Sequence, residues 1–167
     1  RYGGTRAIDK IAEAVDAVDI PVFGNGDIID IESAKLMFEE TGCAGVTVGR
    51  GAIRNPWLPL QISKWLSGQP IQAVTAVERQ EVLLTYFDTI AEAFDSEKGA
   101  LGRMKMVSKH FTLPLPHGSV LRKRIFHSQS RAEAEAHVCH YFSLLQRHES
   151  GDTHCFSGTV YSDSPAA

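Results

Sequence analysis

The sequence predicts an α/β plus all-α protein, and two features predict it. Two glycine-rich turns, over residues 24–27 and 49–52, each follow a short β-branched or aromatic run, and they lie about one βα unit apart. After residue 75 the apolar residues keep helical spacing and no strand pattern occurs. Alternating helices and strands with short loops are typical of half a (β/α) barrel or of a doubly wound sheet. We expect an α/β segment over residues 1–68, a helical domain over 69–147 and a disordered tail over 148–167.

The α/β segment is predicted to contain two helix–strand pairs and a closing helix. Apolar residues at helical spacing predict helices over residues 5–18, 30–41 and 56–66. Gly42 is placed to end the second of these helices. Strands are predicted over residues 20–23 and 45–49, and the first is an apolar run of the kind found in buried parallel sheets.

The helical domain is predicted to contain four helices, over residues 75–94, 98–111, 119–127 and 130–147. The first and the last begin with the Ser/Thr-x-x-Glu spacing of a capping box, at Thr75 and at Ser130. Two prolines, Pro114 and Pro116, separate the second helix from the third, because proline cannot continue a helix.

The composition argues against several classes of protein. With 43% hydrophobic and 22% charged residues the chain matches ordinary soluble globular domains, and no apolar run reaches the length of a membrane span. The three cysteines lack CxxC spacing and the histidines lack metal-ligand spacing, so we expect no disulfide framework and no metal. We also expect a cytoplasmic monomer. The first residue is not methionine, which predicts the C-terminal part of a longer protein.

The paired turns predict a phosphate site. Small residues at the ends of two successive strands let the backbone approach a ligand closely, and free N–H groups there bind anions. A dinucleotide-binding Gly-x-Gly-x-x-Gly motif would need a third glycine at position 29, which is isoleucine. A tight βα turn that binds no ligand remains an alternative for Gly24 and Gly26.

Three segments around these turns resemble the tRNA-dihydrouridine synthases. They are IPVFGNGDI (residues 20–28), TGCAGVTVGRGA (41–52) and NPW (55–57), and the opening Tyr2, Gly3 and Gly4 resemble a loop one βα unit upstream. The resemblance is strong over residues 1–66 and looser beyond, and Thr47 and Arg54 depart from it. It implies the C-terminal part of an FMN-binding TIM (β/α)8 barrel, followed by a small helical bundle that helps to bind tRNA.

By position, the resemblance implies two flavin-phosphate turns. Asn25, Gly26 and Asp27 match the first, and Gly49 and Arg50 match the second. Backbone N–H groups would bind the phosphate, and Arg50 would add a charge-assisted contact. Because Asp27 is acidic, we expect it to cap the following helix or to accept from neighbouring N–H groups instead.

The resemblance also implies the chemistry. In the family NADPH reduces FMN, the flavin delivers a hydride to the C5–C6 double bond of a uridine in tRNA, and a cysteine supplies the proton. That cysteine lies upstream of Arg1 in the family, and none of Cys43, Cys139 and Cys155 matches it. We therefore expect no catalytic residue in this chain, and we expect the chain alone to be inactive.

A second signal comes from charge. Residues 98–131 contain eight basic and no acidic residues, whereas residues 1–97 contain 15 acidic and eight basic ones. A stretch of one sign is expected where a protein contacts a nucleic-acid backbone, although a solvated helix surface remains an alternative. We expect tRNA contacts from seven of these residues: Lys98, Arg103, Lys105, Lys109, Arg122, Lys123 and Arg124.

Two other functions remain open at this point. Another FMN-dependent barrel oxidoreductase, of the dihydroorotate- or IMP-dehydrogenase type, uses similar paired turns but leaves the acid-free helical stretch unexplained. Alternatively, the chain is an RNA-binding fragment without catalysis.

Overall fold

The computed structural model describes residues 6–161, which form a mostly helical protein with one small parallel sheet. The chain divides into two compact units, the first ending at Gln72 and the second beginning at Ala73. The first unit contains α1 (Arg6–Ala17), β1 (Phe23–Asn25), α2 (Ile31–Thr41), β2 (Gly45–Thr47), α3 (Arg50–Arg54) and α4 (Leu58–Leu66). The second contains α5 (Ala76–Ala93), α6 (Glu97–Phe111), α7 (Gly118–His127) and α8 (Arg131–Glu149).

The sheet of the first unit packs against α2 through one of its faces. Phe23 pairs with Gly45, Gly24 with Val46 and Asn25 with Thr47. At Gly24 an added Cβ would lie 2.8 Å from Met37 Cγ, so this close helix–sheet packing requires glycine. The core between the sheet and its helices contains Ile28, Ala34, Met37, Cys43, Leu58 and Ile62.

The predicted position and burial of the first strand were wrong. The strand covers residues 23–25 rather than 20–23, and Ile20 is 72% and Phe23 61% exposed. The physical reason is that α2 covers only one face of the two-stranded sheet, whereas parallel sheets are normally covered on both. The other face, which bears Phe23 and Asn25, is exposed in the structure. We call it the open sheet face.

The four helices of the second unit begin and end within two residues of the predicted positions. Thr75 and Glu78 form the predicted capping box, and the Ser130 hydroxyl accepts from the backbone N–H of Glu133. Side chains from all four helices form one core, which includes Leu83, Phe87, Met104, Phe111, Leu121, Ile125, Val138, Tyr141 and Phe142.

The prediction of a disordered tail was wrong for residues 148–161. Helix α8 continues to Glu149, and the turns that follow place Cys155, Phe156 and Tyr161 in the core of the second unit. The Tyr161 hydroxyl donates to the His137 carbonyl at 2.7 Å, and Tyr161 is fully buried. Composition indicated disorder because this segment is rich in glycine, serine and aspartate. Composition does not show that a few of its other residues are buried. We call residues 152–161 the C-terminal strap.

Some expectations concern parts of the chain that lie outside the described residues. Tyr2, Gly3 and Gly4, and the last six residues of the tail, belong to these parts. Within residues 6–161, no helix has both the length and the apolar character that a membrane span requires. The same residues contain no cluster of three or more His, Cys, Asp or Glu side chains suited to a metal ion.

Candidate phosphate site and basic helical surface

The two glycine-rich turns both lie at the carboxyl ends of the two strands. Because β1 and β2 are parallel and Asn25 is in register with Thr47, the chain leaves both strands at neighbouring points. The Asn25 Nδ2 donates to Thr47 Oγ1 at 2.8 Å and ties the two strand ends together. The carboxyl ends of parallel strands are where α/β proteins place their ligand sites.

An ion pair joins the two turns. Arg50 Nη2 lies 3.4 Å from Asp27 Oδ1, and both side chains are exposed. An exposed pair contributes on the order of 0–1 kcal/mol to stability, so its importance is geometric. It keeps a guanidinium group at the point where the two turns meet.

The backbone of the first turn has positive φ at two successive residues. Gly26 has φ 131°, a value that side chains rarely adopt, and Asp27 has φ 48°, which aspartate tolerates better than most residues. This turn directs the Asp27 side chain towards the second turn, where Arg50 meets it. The resemblance placed Asn25, Gly26, Asp27, Gly49 and Arg50 in one site, and the structure brings these residues to one edge of the sheet.

The glycines of the second turn differ in their surroundings. An added Cβ at Gly51 would lie 2.0 Å from the carbonyl oxygen of Ile28, so the second turn packs tightly against the segment that follows the first. At Gly49, which is exposed, an added Cβ would have no heavy atom within 4 Å apart from its own chain neighbours. The backbone of the second turn is therefore accessible at Gly49 and packed at Gly51.

Asp30, rather than Asp27, caps α2. The Ser33 backbone N–H donates to Asp30 Oδ1 at 2.8 Å, and the Ser33 hydroxyl accepts from the Asp30 N–H at 3.1 Å. The pKa of Asp30 is lowered first by the bond from the Ser33 backbone N–H and then by the Ser33 hydroxyl, which donates to Asp30 Oδ1 at 2.7 Å. Asp27 lies three residues too early for this role, and sequence alone could not choose between two aspartates in one turn.

This difference leads to a first prediction. Asp30→Ala is expected to destabilise the first unit by about 1 kcal/mol, the usual effect of losing an N-cap, while Asp27→Asn, which keeps a residue that tolerates positive φ, changes stability by less than about 0.5 kcal/mol. Thermal unfolding of the two variants at neutral pH checks this. Because the folded-state pKa of Asp30 is lowered, its contribution is present above the ordinary value of 3.8 and is lost as the pH falls through the folded-state pKa. Equal destabilisation by both variants would contradict the assignment.

The seven predicted tRNA-binding residues fall into two groups. The first group is defined by side chains that have no hydrogen-bond or ion-pair partner among residues 6–161, and it contains Lys98, Arg103, Lys109, Arg122 and Lys123. Lys105 and Arg124 are held by backbone carbonyls. Lys105 Nζ donates to Ser128 O at 2.7 Å, and Arg124 Nε donates to Val160 O at 3.3 Å.

The acid-free stretch is not free of acids in space. Arg131, the last base of the stretch, pairs with Asp88 on α5 and with Glu135 on α8. A count along the chain missed these partners because they lie outside residues 98–131. On α6, Lys98, Lys105 and Lys109 lie on one side at spacings of seven and four residues, whereas Arg103 lies on another.

Sequence reasoning missed two contacts in these regions. One is the Asn25–Thr47 hydrogen bond, which strand register would have indicated had the first strand been placed correctly. The other is the contact between Arg124 and the C-terminal strap, because the strap was predicted to be disordered. Its aromatic residues, Phe156 and Tyr161, were the available signal.

Comparison with known proteins supports the resemblance. The family model described as Dihydrouridine synthase matches residues 1–146. A probable tRNA-dihydrouridine synthase of Mycobacterium leprae is 37% identical over 130 residues, which cover 75% of this chain and 33% of that protein. The corresponding Mycobacterium tuberculosis protein is 36% identical over 130 residues. The tRNA-dihydrouridine synthase B of Pseudomonas aeruginosa is 29% identical over 154 residues, or 90% of this chain and 45% of that protein.

The chain spans about a third of the length of its mycobacterial relatives. The family match nevertheless covers most of the chain and includes both glycine-rich turns. The chain belongs to the dihydrouridine synthase family.

Proposed function

We propose that this chain is the C-terminal portion of a flavin-dependent enzyme that reduces uridine to 5,6-dihydrouridine in tRNA. The observation that carries the proposal is that two glycine-rich turns meet at the carboxyl ends of two parallel strands, where the Asp27–Arg50 ion pair joins them. The relatives that match the chain are named for this reaction, and the chain corresponds to a third to a half of their length. A cytoplasmic location and a monomeric state are part of the same proposal.

Five residues would hold the FMN phosphate. Asn25, Gly26 and Asp27 would contribute the first turn, and Gly49 and Arg50 the second, through backbone N–H groups and the guanidinium. Bound FMN would supply the two-electron reduction, with NADPH as the reductant. Asp27 would act indirectly, because its carboxylate fixes Arg50 at 3.4 Å rather than approaching a phosphate.

The open sheet face supports a place in a TIM (β/α)8 barrel. Barrel strands are covered outside by helices and inside by side chains of the other strands. Here α2 covers one face of the sheet, and the exposed face bears Phe23 and Asn25. Residues 1–68 would thus form the last βα units of the barrel, with the open sheet face directed to its interior.

The proton donor of the reaction would come from outside this chain. Cys43 is buried, and its Sγ lies 3.2 Å from the Cβ position of Gly24, on the α2 side of the sheet. That side is opposite the open sheet face. Cys139 and Cys155 belong to the second unit.

The helical unit would bind tRNA. Five basic side chains without partners among residues 6–161, Lys98, Arg103, Lys109, Arg122 and Lys123, suit contacts with a phosphate backbone. Recognition would rest on tRNA shape and phosphates, and the target uridine would leave its stack to reach the flavin. The strap extends this proposed domain beyond the predicted end at residue 147.

The test uses the native protein, expressed from the gene that encodes this chain in a bacterium without its own dihydrouridine synthases. We expect dihydrouridine to appear in its tRNA, measured by mass spectrometry of digested nucleosides, and the purified protein to contain flavin. Flavin without dihydrouridine would favour another flavin-dependent oxidoreductase. Neither flavin nor dihydrouridine would contradict the proposal as a whole.

A further inference from the structure

The C-terminal strap holds one of the predicted tRNA-binding residues in place. Arg124 Nε donates to the Val160 carbonyl, and its guanidinium carbon lies 5.7 Å from the centroid of the Tyr161 ring. The strap follows the last residue that the family model matches, residue 146. Arg124 thus lies within the matched region, whereas Val160 and Tyr161 lie beyond it.

Tyr161 provides a rigid support for this contact. Its side chain is fully buried, and its hydroxyl donates to the His137 carbonyl on α8 at 2.7 Å. Its ring packs edge-on against Tyr141, with 5.4 Å between centroids, and His140 lies at the same distance. The ring under Arg124 is thus fixed from several directions.

Arg124 keeps its terminal amino groups available. Its described contacts involve Nε and the aromatic ring, and neither Nη1 nor Nη2 has a hydrogen-bond or ion-pair partner among residues 6–161. Arginine binds phosphate by presenting several N–H groups in a planar fork. A guanidinium that is held at Nε and over a ring has lost much of its rotamer freedom before a ligand arrives, and this favours binding.

Charged and titratable groups near Arg124 come from α7 and α8. Arg122 and Lys123 precede Arg124 on α7. Across from it on α8, the pKa of His137 is lowered, first by burial and then by the Arg124 charge. Glu133 is the nearby acid, 3.9 Å from His137. On α7, Lys123 and Arg122 lie about 100° and 200° around the helix from Arg124, so they attract a nucleic acid at longer range rather than contact the same phosphate.

We propose that Arg124 contacts a tRNA phosphate and that Tyr161, through the strap, is its positioning residue. This inference rests on the proposed tRNA-binding function. It assigns the strap a role in affinity through one arginine, in addition to its role in the core.

A double-mutant cycle tests it, with the full 167-residue chain and an unmodified tRNA transcript as the probe. Arg124→Gln is expected to weaken binding roughly tenfold and to reduce the salt slope by about one unit, as for one lost phosphate contact. Tyr161→Leu is expected to weaken binding by a similar factor in the wild-type background. In the Arg124→Gln background it should have no further effect.

Three control variants separate positioning from folding. Tyr161→Phe keeps the ring beneath Arg124 and should retain near wild-type affinity. Lys109→Gln on α6 should weaken binding by a factor that multiplies with that of Tyr161→Leu. Arg124→Lys should keep the salt slope but lose affinity, since it keeps the charge without Nε. Thermal unfolding of each variant gives the fraction of folded protein, and each affinity is corrected for that fraction.

Two results would overturn the inference. One is an equal effect of Tyr161→Leu with and without Arg124, which would mean a structural role alone. The other is unchanged binding in Arg124→Gln while the triple variant Lys98→Gln, Arg103→Gln, Lys109→Gln loses tRNA. In that second case the tRNA-binding function stands and only the role of Arg124 fails. If the triple variant also binds normally, the tRNA-binding proposal fails with it.

Discussion

Gly49→Ala is expected to remove FMN from the native protein without unfolding it. A Cβ at this position meets no heavy atom within 4 Å apart from its own chain neighbours, so the protein itself has room for the methyl group. In the proposed site the flavin phosphate would lie against the backbone of this turn. Displacing the phosphate by one methyl group loses one or two charge-assisted hydrogen bonds, which corresponds to FMN affinity weaker by about 10- to 100-fold.

The flavin-to-protein ratio, from visible absorbance of the purified protein, measures this effect. Gly102→Ala on α6 is a matched control, because its Cβ also meets nothing within 4 Å and the residue lies in the other unit. Gly51→Ala, two residues later, is expected to lower the stability of the protein. Its Cβ would collide with the Ile28 carbonyl oxygen at 2.0 Å, so we expect a loss of about 1–3 kcal/mol in stability. Stoichiometric flavin in Gly49→Ala would exclude this turn from the phosphate site.

Phe156→Ala is expected to destabilise the helical unit by about 3–5 kcal/mol. Phe156 is buried, and its ring lies 4.6 Å from that of His117 and 5.7 Å from that of Tyr141. Truncating a buried aromatic side chain loses its transfer free energy and leaves a cavity. Urea-induced unfolding of the 167-residue chain gives the free energy directly.

The neighbouring Ser157→Ala is the control for this variant, since Ser157 is exposed. Its effect should stay within about 0.5 kcal/mol. If the strap is disordered in solution, neither variant will change the free energy of unfolding. That result would contradict the packing of Phe156 and Tyr161 in the core.

Except for α3 (Arg50–Arg54), which begins within the second glycine-rich turn and was not predicted, the helices were predictable because their signals are local. The capping box at Thr75, the left-handed Gly42 at the end of α2 and the prolines after α6 each act within a few residues. The proximity of the two glycine-rich turns followed from one further rule, that parallel strands end at a common edge. The resemblance then named the residues of the turns.

The remaining features depend on contacts between distant residues. The exposure of Phe23 depends on what covers the sheet, and the partners of Arg131 come from α5 and α8. The order of the strap depends on Tyr161 reaching His137, 24 residues earlier. Patterns along the chain contain none of this information, because each depends on tertiary packing.

The open sheet face has a practical consequence for handling the protein. Ile20 and Phe23 present large apolar side chains beside a sheet of two strands, whose outer edges have no strand partner among residues 6–161. Exposed edges next to apolar side chains recruit strands from other molecules, and this recruitment rises with concentration. At high concentration, self-association through this face would compete with ligand binding. Binding measurements on the 167-residue chain should therefore be made at low micromolar protein concentration or below.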